Sequence, residues 1–219
     1  MKKLLVAIVA VLFAAPSFAQ LSTGGFSISG DNLYYGFRIG FTSAKLAGDS
    51  PIDNVRMGFG IGGVIGVRLS ENAPVFLESG LSYAERGSKR GKQRVGYQNL
   101  DIPLLIKYGF AVGDKFSILP LFGPVFSYAI SGETKQLDVN NNKTNDMETV
   151  GTFDEKKANT GGLRRPNLGL KLGCGIEYSN IYAEAGYQFG LTNICKQGKW
   201  NPDGSIHSHN LFVNVGVNF

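Results

Sequence analysis

His207 and His209 flank Ser208, and Ser205 and Asp203 stand just before them. A serine, a histidine and an acid are the parts of a hydrolytic triad, and an H-x-H pair on one strand face can hold a metal. All of these residues crowd one short stretch, however, and no nucleophile motif such as G-x-S-x-G supports them. The stretch reads as a polar loop, and no catalytic, cofactor or metal site is expected. A second candidate is the run Arg86 to Arg94, in which Arg86, Lys89, Arg90, Lys92 and Arg94 are basic. Guanidinium groups bind phosphate in bidentate fashion and ammonium groups as point charges, so the run is a candidate phosphate contact if the fold displays it. A third is a dispersed set of charges of both signs: Arg38, Arg56, Arg68, Glu78, Asp101, Lys107, Lys171, Glu177 and Glu184. Cys174 and Cys195 lack a metal-ligand spacing and read as two free thiols.

What these residues can do depends on the elements that carry them. From Tyr34 onward apolar residues recur at every second position, the period of half-buried strands rather than of helices. Tyr35, Phe37, Ile39 and Phe41 share one face, with Arg38 on the other. Leu100, Ile102, Leu104, Ile106 and Tyr108 oppose Asn99, Asp101 and Lys107. Leu168, Leu172, Cys174 and Ile176 oppose Lys171 and Glu177, and Leu211, Val213, Val215, Val217 and Phe219 oppose Asn210, Asn214 and Asn218. The full pattern yields eight strands over residues 34–219. Pro103, Pro120 and Pro124 fall inside them and are expected to mark local bulges. Gln136–Val139 and Thr149–Phe153 form a further hairpin, which either extends the barrel or raises the strand count to ten.

Alternation also occurs in soluble barrels, but three features point to lipid. Only Lys45 and Glu85 carry charge on the apolar face, both at strand ends; Arg or Lys costs about 2–4 kcal/mol at a bilayer midplane and about 0–1 near the interface. The opposite face mixes glycines with the charged set, as a narrow interior needs if long side chains are to pair there. A salt-bridged plug is therefore favoured over a narrow ion path. The connections alternate as well: long (47–55), short (70–74), medium (86–94), short (111–115), very long (132–165), minimal (Ser179-Asn180) and long (192–209). Short periplasmic turns and long external loops are the habit of outer-membrane barrels. Both termini are then periplasmic, and the basic run 86–94 lies just outside the membrane, where lipopolysaccharide phosphates are the candidate ligand.

The leader fits this setting. Lys2 and Lys3 precede the apolar run Leu4–Ala15, Pro16 breaks it, and Ser17-Phe18-Ala19 places small residues before a cut at Gln20. Residues 1–19 are read as a cleaved signal peptide and 20–33 as a periplasmic segment. The run is too short to span a bilayer, which takes about 20 apolar residues. Of 22 basic residues, the two leader lysines are lost, leaving 20 against 17 acidic ones. That balance implies no nucleic-acid partner.

The leader, the strand Asn99-Leu100-Asp101-Ile102-Pro103-Leu104-Leu105-Ile106-Lys107-Tyr108, the Gly-rich second strand and the Phe219 ending resemble the PorT-type outer-membrane β-barrel proteins of Bacteroidota. The resemblance covers the mature chain and is specific through the L-x-I-P-L-L-x-K-Y element. It implies an all-β, eight-stranded antiparallel up-and-down transmembrane barrel of the OmpA/OmpX kind, without a periplasmic peptidoglycan-binding domain. A founding member belongs to a protein-secretion apparatus. Phe219 resembles the terminal signal read by the barrel-assembly machinery. The expected protein is a non-enzymatic structural or interaction barrel of the outer membrane, with secretion-apparatus component and narrow channel as the other readings. Its expected partners are outer-membrane lipid, lipopolysaccharide, the assembly machinery, and envelope or secretion proteins.

Overall fold

A computed structural model describes residues 33–50, 52–70, 72–112, 115–137, 147–154, 162–196 and 204–219. Residues 1–32, where the leader, its cut and the periplasmic segment are expected, lie outside the described residues, as do Asp203 and Asn140–Asn142.

Among the described residues ten strands follow one another: β1 (Leu33–Gly48), β2 (Asn54–Arg68), β3 (Val75–Arg90), β4 (Gln93–Tyr108), β5 (Phe110–Ala111), β6 (Phe116–Leu137), β7 (Met147–Gly151), β8 (Pro166–Tyr178), β9 (Ile181–Gly190) and β10 (Ile206–Asn218). Eight of them, all but β5 and β7, form a closed antiparallel barrel; its ring closes where β1 pairs with β10 and β4 with β6. β5 is a two-residue extension against the start of β6. β7 lies against the far end of β6, from Glu133↔Gly151 to Leu137↔Met147. The extra hairpin therefore lengthens one wall and does not enter the ring. Closure leaves the eight-stranded ring without an open edge, the condition a sheet must meet in hydrocarbon.

The faces are inverted relative to a soluble protein. Phe41 is 66% exposed, Met57 70% and Ile106 53%, whereas Lys107 is fully buried and Glu78 2% exposed. Water would disfavour both faces; lipid outside and paired charges inside satisfy both. Aromatic residues gather at the rim where β1 starts and β10 ends: Tyr35 stacks on Phe219 at 6.1 Å, and Tyr108 meets Phe110 at 4.6 Å. Such girdles sit at membrane interfaces.

Two expectations about the ladder are corrected. The prolines do not create bulges. Pairing lapses at Gly80–Leu81 opposite Pro103, and again at Leu104–Leu105 opposite Gly123 and Pro124, yet each register resumes unshifted. The Ser79 hydroxyl donates to the Pro103 carbonyl at 2.8 Å, satisfying one acceptor in the first gap. The register shifts lie elsewhere, between Val55 and Gly60 and between Gln98 and Asn99. The second occurs opposite Ala129 and Ser131, so Ser131 faces outward and Thr134 resumes the inner phase.

The second correction concerns 86–94. β3 and β4 run on past the apolar belt and join through Gly91-Lys92 alone, so this stretch is the end of a long hairpin rather than a medium loop. Gly91 takes φ 59°, the left-handed conformation a two-residue turn requires.

Candidate functional site

The barrel interior is the first candidate. β1, β3, β4, β8 and β9 each deliver charged side chains to it, and Lys107 of β4 stands at the centre. Its ammonium lies 2.7 Å from Glu78 and 3.9 Å from Glu184, and it donates to the Tyr182 hydroxyl at 2.9 Å. That hydroxyl in turn donates to Glu184 at 3.0 Å. Lys171 meets Glu184 at 3.2 Å, and Arg38 meets Glu78 at 3.7 Å. Tyr34 donates to Glu78 at 2.8 Å and Asn214 to Glu184 at 2.8 Å. Asn218 accepts from Arg38 at 2.5 Å and donates to Glu177 at 2.5 Å. The Tyr182 ring carries the Arg38 guanidinium 4.1 Å from its centre and the Lys107 ammonium 4.5 Å away, a cation–π arrangement that strengthens when dry.

A second layer lies toward the β3–β4 hairpin. Arg86 pairs with Asp101 and donates to Gln188 at 2.8 Å and Ser127 at 3.2 Å. Together the two layers set Arg38, Arg86, Lys107 and Lys171 against Glu78, Asp101, Glu177 and Glu184, a neutral group of four and four. Neutrality is required here, because an uncompensated buried charge costs several kcal/mol. Glycines make the room: a methyl group at Gly175 would overlap the Tyr182 ring, and one at Gly66 the Tyr34 ring. Between the layers lies a cavity of about 50 Å³ lined by Arg38, Arg86, Asp101 and Lys171. It has space for a few waters.

A third layer covers the hairpin end of the barrel. Leu46, Ile52, Val95, Tyr97, Ala129, Leu163, Ile194, Cys195 and Ile206 form a buried apolar cluster against which Phe153 packs. Its strand members are Leu46, Val95, Tyr97, Ala129 and Ile206; connecting segments supply the rest. Asn193 fastens the segments, accepting from the amides of Cys195 at 2.9 Å and Ile206 at 3.0 Å and donating to the Gly204 carbonyl at 3.0 Å. Leu163 and Cys195 form an isolated β-bridge. Burial pushes the Cys195 thiol up from its ordinary pKa.

Several sequence-stretch readings change place. Arg86 is not an external phosphate contact: it is 2% exposed and belongs to the interior, because the hairpin alternation continues past the belt and turns every second residue inward. Lys89, Arg90, Lys92 and Arg94 are exposed. Arg56 is half-buried; its guanidinium donates to the Arg86 carbonyl at 2.8 Å and lies against Gly96, apart from the interior pairs. Arg68 sits at the end of β2 and donates to the Ser70 carbonyl at 2.8 Å. His207 and His209 are on β10, not in a loop, and Ser208 points the other way to meet Tyr97 at 2.6 Å. Ser205 and His207 are 3.0 Å apart, but among the described residues His207 Nδ1 has no partner and no acid orients the ring. The tyrosines and asparagines that join the charges were legible as inner-face residues, but nothing in their spacing marked them as bridges.

Residues 18–196 match the family described as "Outer membrane protein beta-barrel domain", and the chain belongs to that family. No curated protein matches it. Similar solved structures include the attachment invasion locus protein Ail of Yersinia pestis (12% identity, 86% of this chain and 100% of that one, TM-score 0.43). Neisserial surface protein A gives 15% identity, 87% and 100% coverage and a TM-score of 0.46. OprG from Pseudomonas aeruginosa gives 12%, 88% and 98%, and 0.45.

Proposed function

We propose that this member of the outer-membrane β-barrel family is a non-conducting, non-enzymatic barrel whose external end is its interaction surface. The observation that carries this reading is the filled interior: a neutral charge group occupies the lumen, and an apolar cluster lies above it. Eight strands enclose just enough space for their own side chains. In this reading the leader is removed, both termini are periplasmic, and the β3–β4 hairpin and the 162–165 and 193–196 segments face outward. Phe219 serves as the recognition residue for the assembly machinery.

Purified protein in planar bilayers should give no discrete conductance steps at either polarity; regular openings would replace this reading with the channel. The secretion-apparatus role draws support from the L-x-I-P-L-L-x-K-Y element alone, which forms the second half of β4 and delivers Lys107 to the interior. Co-purification from crosslinked envelopes distinguishes it: a defined set of secretion proteins supports that role, and recovery without them supports an independent barrel.

A further inference from the structure

We infer that the outer face of the β3–β4–β6 wall, at the hairpin end, is a binding site for a lipid headgroup carrying two or more phosphates. This rests on the reading that this end is external. Lys89 stands directly opposite Arg94 across the β3–β4 ladder, and Arg94 directly opposite Lys135 across the β4–β6 ladder. Their neighbours Ser88, Val95 and Thr134 are fully buried, so the three basic side chains project together from the outside of the wall. Opposite residues on adjacent strands have Cβ atoms about 4.5–5.5 Å apart, and like charges so placed repel. A row of three is therefore a local conflict that an anion relieves.

The protein supplies little of that relief. Among the described residues, no carboxylate lies within ion-pair distance of Lys89, Lys92, Arg94 or Lys135. Glu133 faces outward one row away, opposite Gly96, and pairs with none of them. Arg56 and Lys92 join the row to line a groove of about 630 Å³, with Met57, Gly91 and Gln93 completing it. The absence of a side chain at Gly96 matters, because a Cβ there would press on the Arg56 guanidinium at 3.1–3.3 Å.

The position favours a lipid over a soluble anion. Met57, 70% exposed, is both a wall of the groove and an outward residue of β2 next to Phe59 of the apolar belt. A ligand that lays acyl chains along Met57 and Phe59 brings its headgroup phosphates under Lys89, Arg94 and Lys135. Arg can then clamp a phosphate with two parallel hydrogen bonds while Lys adds point charge.

The test compares the full-length protein in detergent with Lys89→Gln/Arg94→Gln/Lys135→Gln. A control, Lys45→Gln/Lys115→Gln/Arg164→Gln, removes three exposed charges elsewhere. Folding of each is verified by the gel-mobility shift of unheated barrel. Binding is measured to bisphosphorylated lipid A, to its dephosphorylated form and to inorganic polyphosphate. The wild type and control should bind the bisphosphorylated lipid alike, and the groove variant at least about tenfold more weakly, as loss of several charge-assisted contacts implies. Binding of polyphosphate as tight as that of lipid A would overturn the lipid assignment. Equal losses in both triple variants, or none in the groove variant, would overturn the site. Neither outcome bears on conductance, so this inference and the non-conducting reading fail separately.

Discussion

At the scale of single residues, one basic stretch contains two energetic situations. Arg86 is buried against Asp101, Gln188 and Ser127, whereas Lys89, three positions on, is exposed. Removing one member of a buried pair strands its partner and costs about 3–5 kcal/mol; an exposed charge contributes about 0–1. Arg86→Ala should therefore lower the urea midpoint of the refolded barrel substantially and Lys89→Ala hardly at all. Lys107→Ala should match Arg86→Ala, since it leaves Glu78 short of its closest cation and the Tyr182 hydroxyl without its donor. Equal midpoints for Arg86→Ala and Lys89→Ala would mean that Arg86 is solvated. The thiols give a second residue-scale prediction. Cys174 faces the lipid side in register with Pro120 and Ala185, and Cys195 is 3% exposed in the apolar cluster. Burial also holds Cys195 in the unreactive thiol form. A water-soluble maleimide should label neither in the reconstituted protein and both after denaturation. A membrane-permeant maleimide should reach Cys174 first.

At the scale of the element, the apolar belt makes a positional prediction. Leu104 sits midway along the outward row from Leu100 to Tyr108 and is 48% exposed. Leu104→Arg should cost about 2–4 kcal/mol in a lipid-based folding equilibrium, and Tyr108→Arg, at the interface end of the same outward row, distinctly less. Strand identity and inward or outward phase were legible in the sequence because both follow from a period of two. The bulge at Ala129–Ser131 was not, since an added residue is visible only against its partner strand. Nor was the length of the β3–β4 hairpin. Beyond the belt the outer face turns from Phe and Ile to Lys and Arg, so Arg86 to Arg94 read as a loop although inner residues Ser88, Val95 and Tyr97 kept the alternation. The prolines misled for a related reason: a missing donor breaks pairing locally, but neighbouring bonds hold the register. Lys135 and Arg56 could not be joined to Lys89 and Arg94 from sequence at all, because a row across four strands has no signature along one of them.

At the scale of the molecule, the two closures of the lumen rest on different physics. The charged layers are knit into β1, β3, β4, β6, β8, β9 and β10, so they can loosen only as the barrel itself loosens. The apolar cap depends instead on Ile52, Leu163, Ile194 and Cys195 from connecting segments, which are hydrogen-bonded mainly to one another and to the start of β10 (Arg164 to Ile194 at 2.7 Å, Ile194 to Ile206 at 2.9 Å) and, among the described residues, carry no ion pair with the charged layers. Units with so few bonds between them open independently. Ile52→Ser/Leu163→Ser should thus expose the 162–165 and 193–196 segments to added protease while the folded barrel keeps its gel mobility and its urea midpoint. Conductance should stay absent, because the layer around Lys107 still fills the bore when the cap is loose. Openings in this variant would mean that the cap alone seals the barrel and that the interior ion pairs leave a continuous aqueous path. A coincident fall of the barrel midpoint would instead make cap and barrel one cooperative unit, with the capped end as much a part of the fold as the strands that carry it.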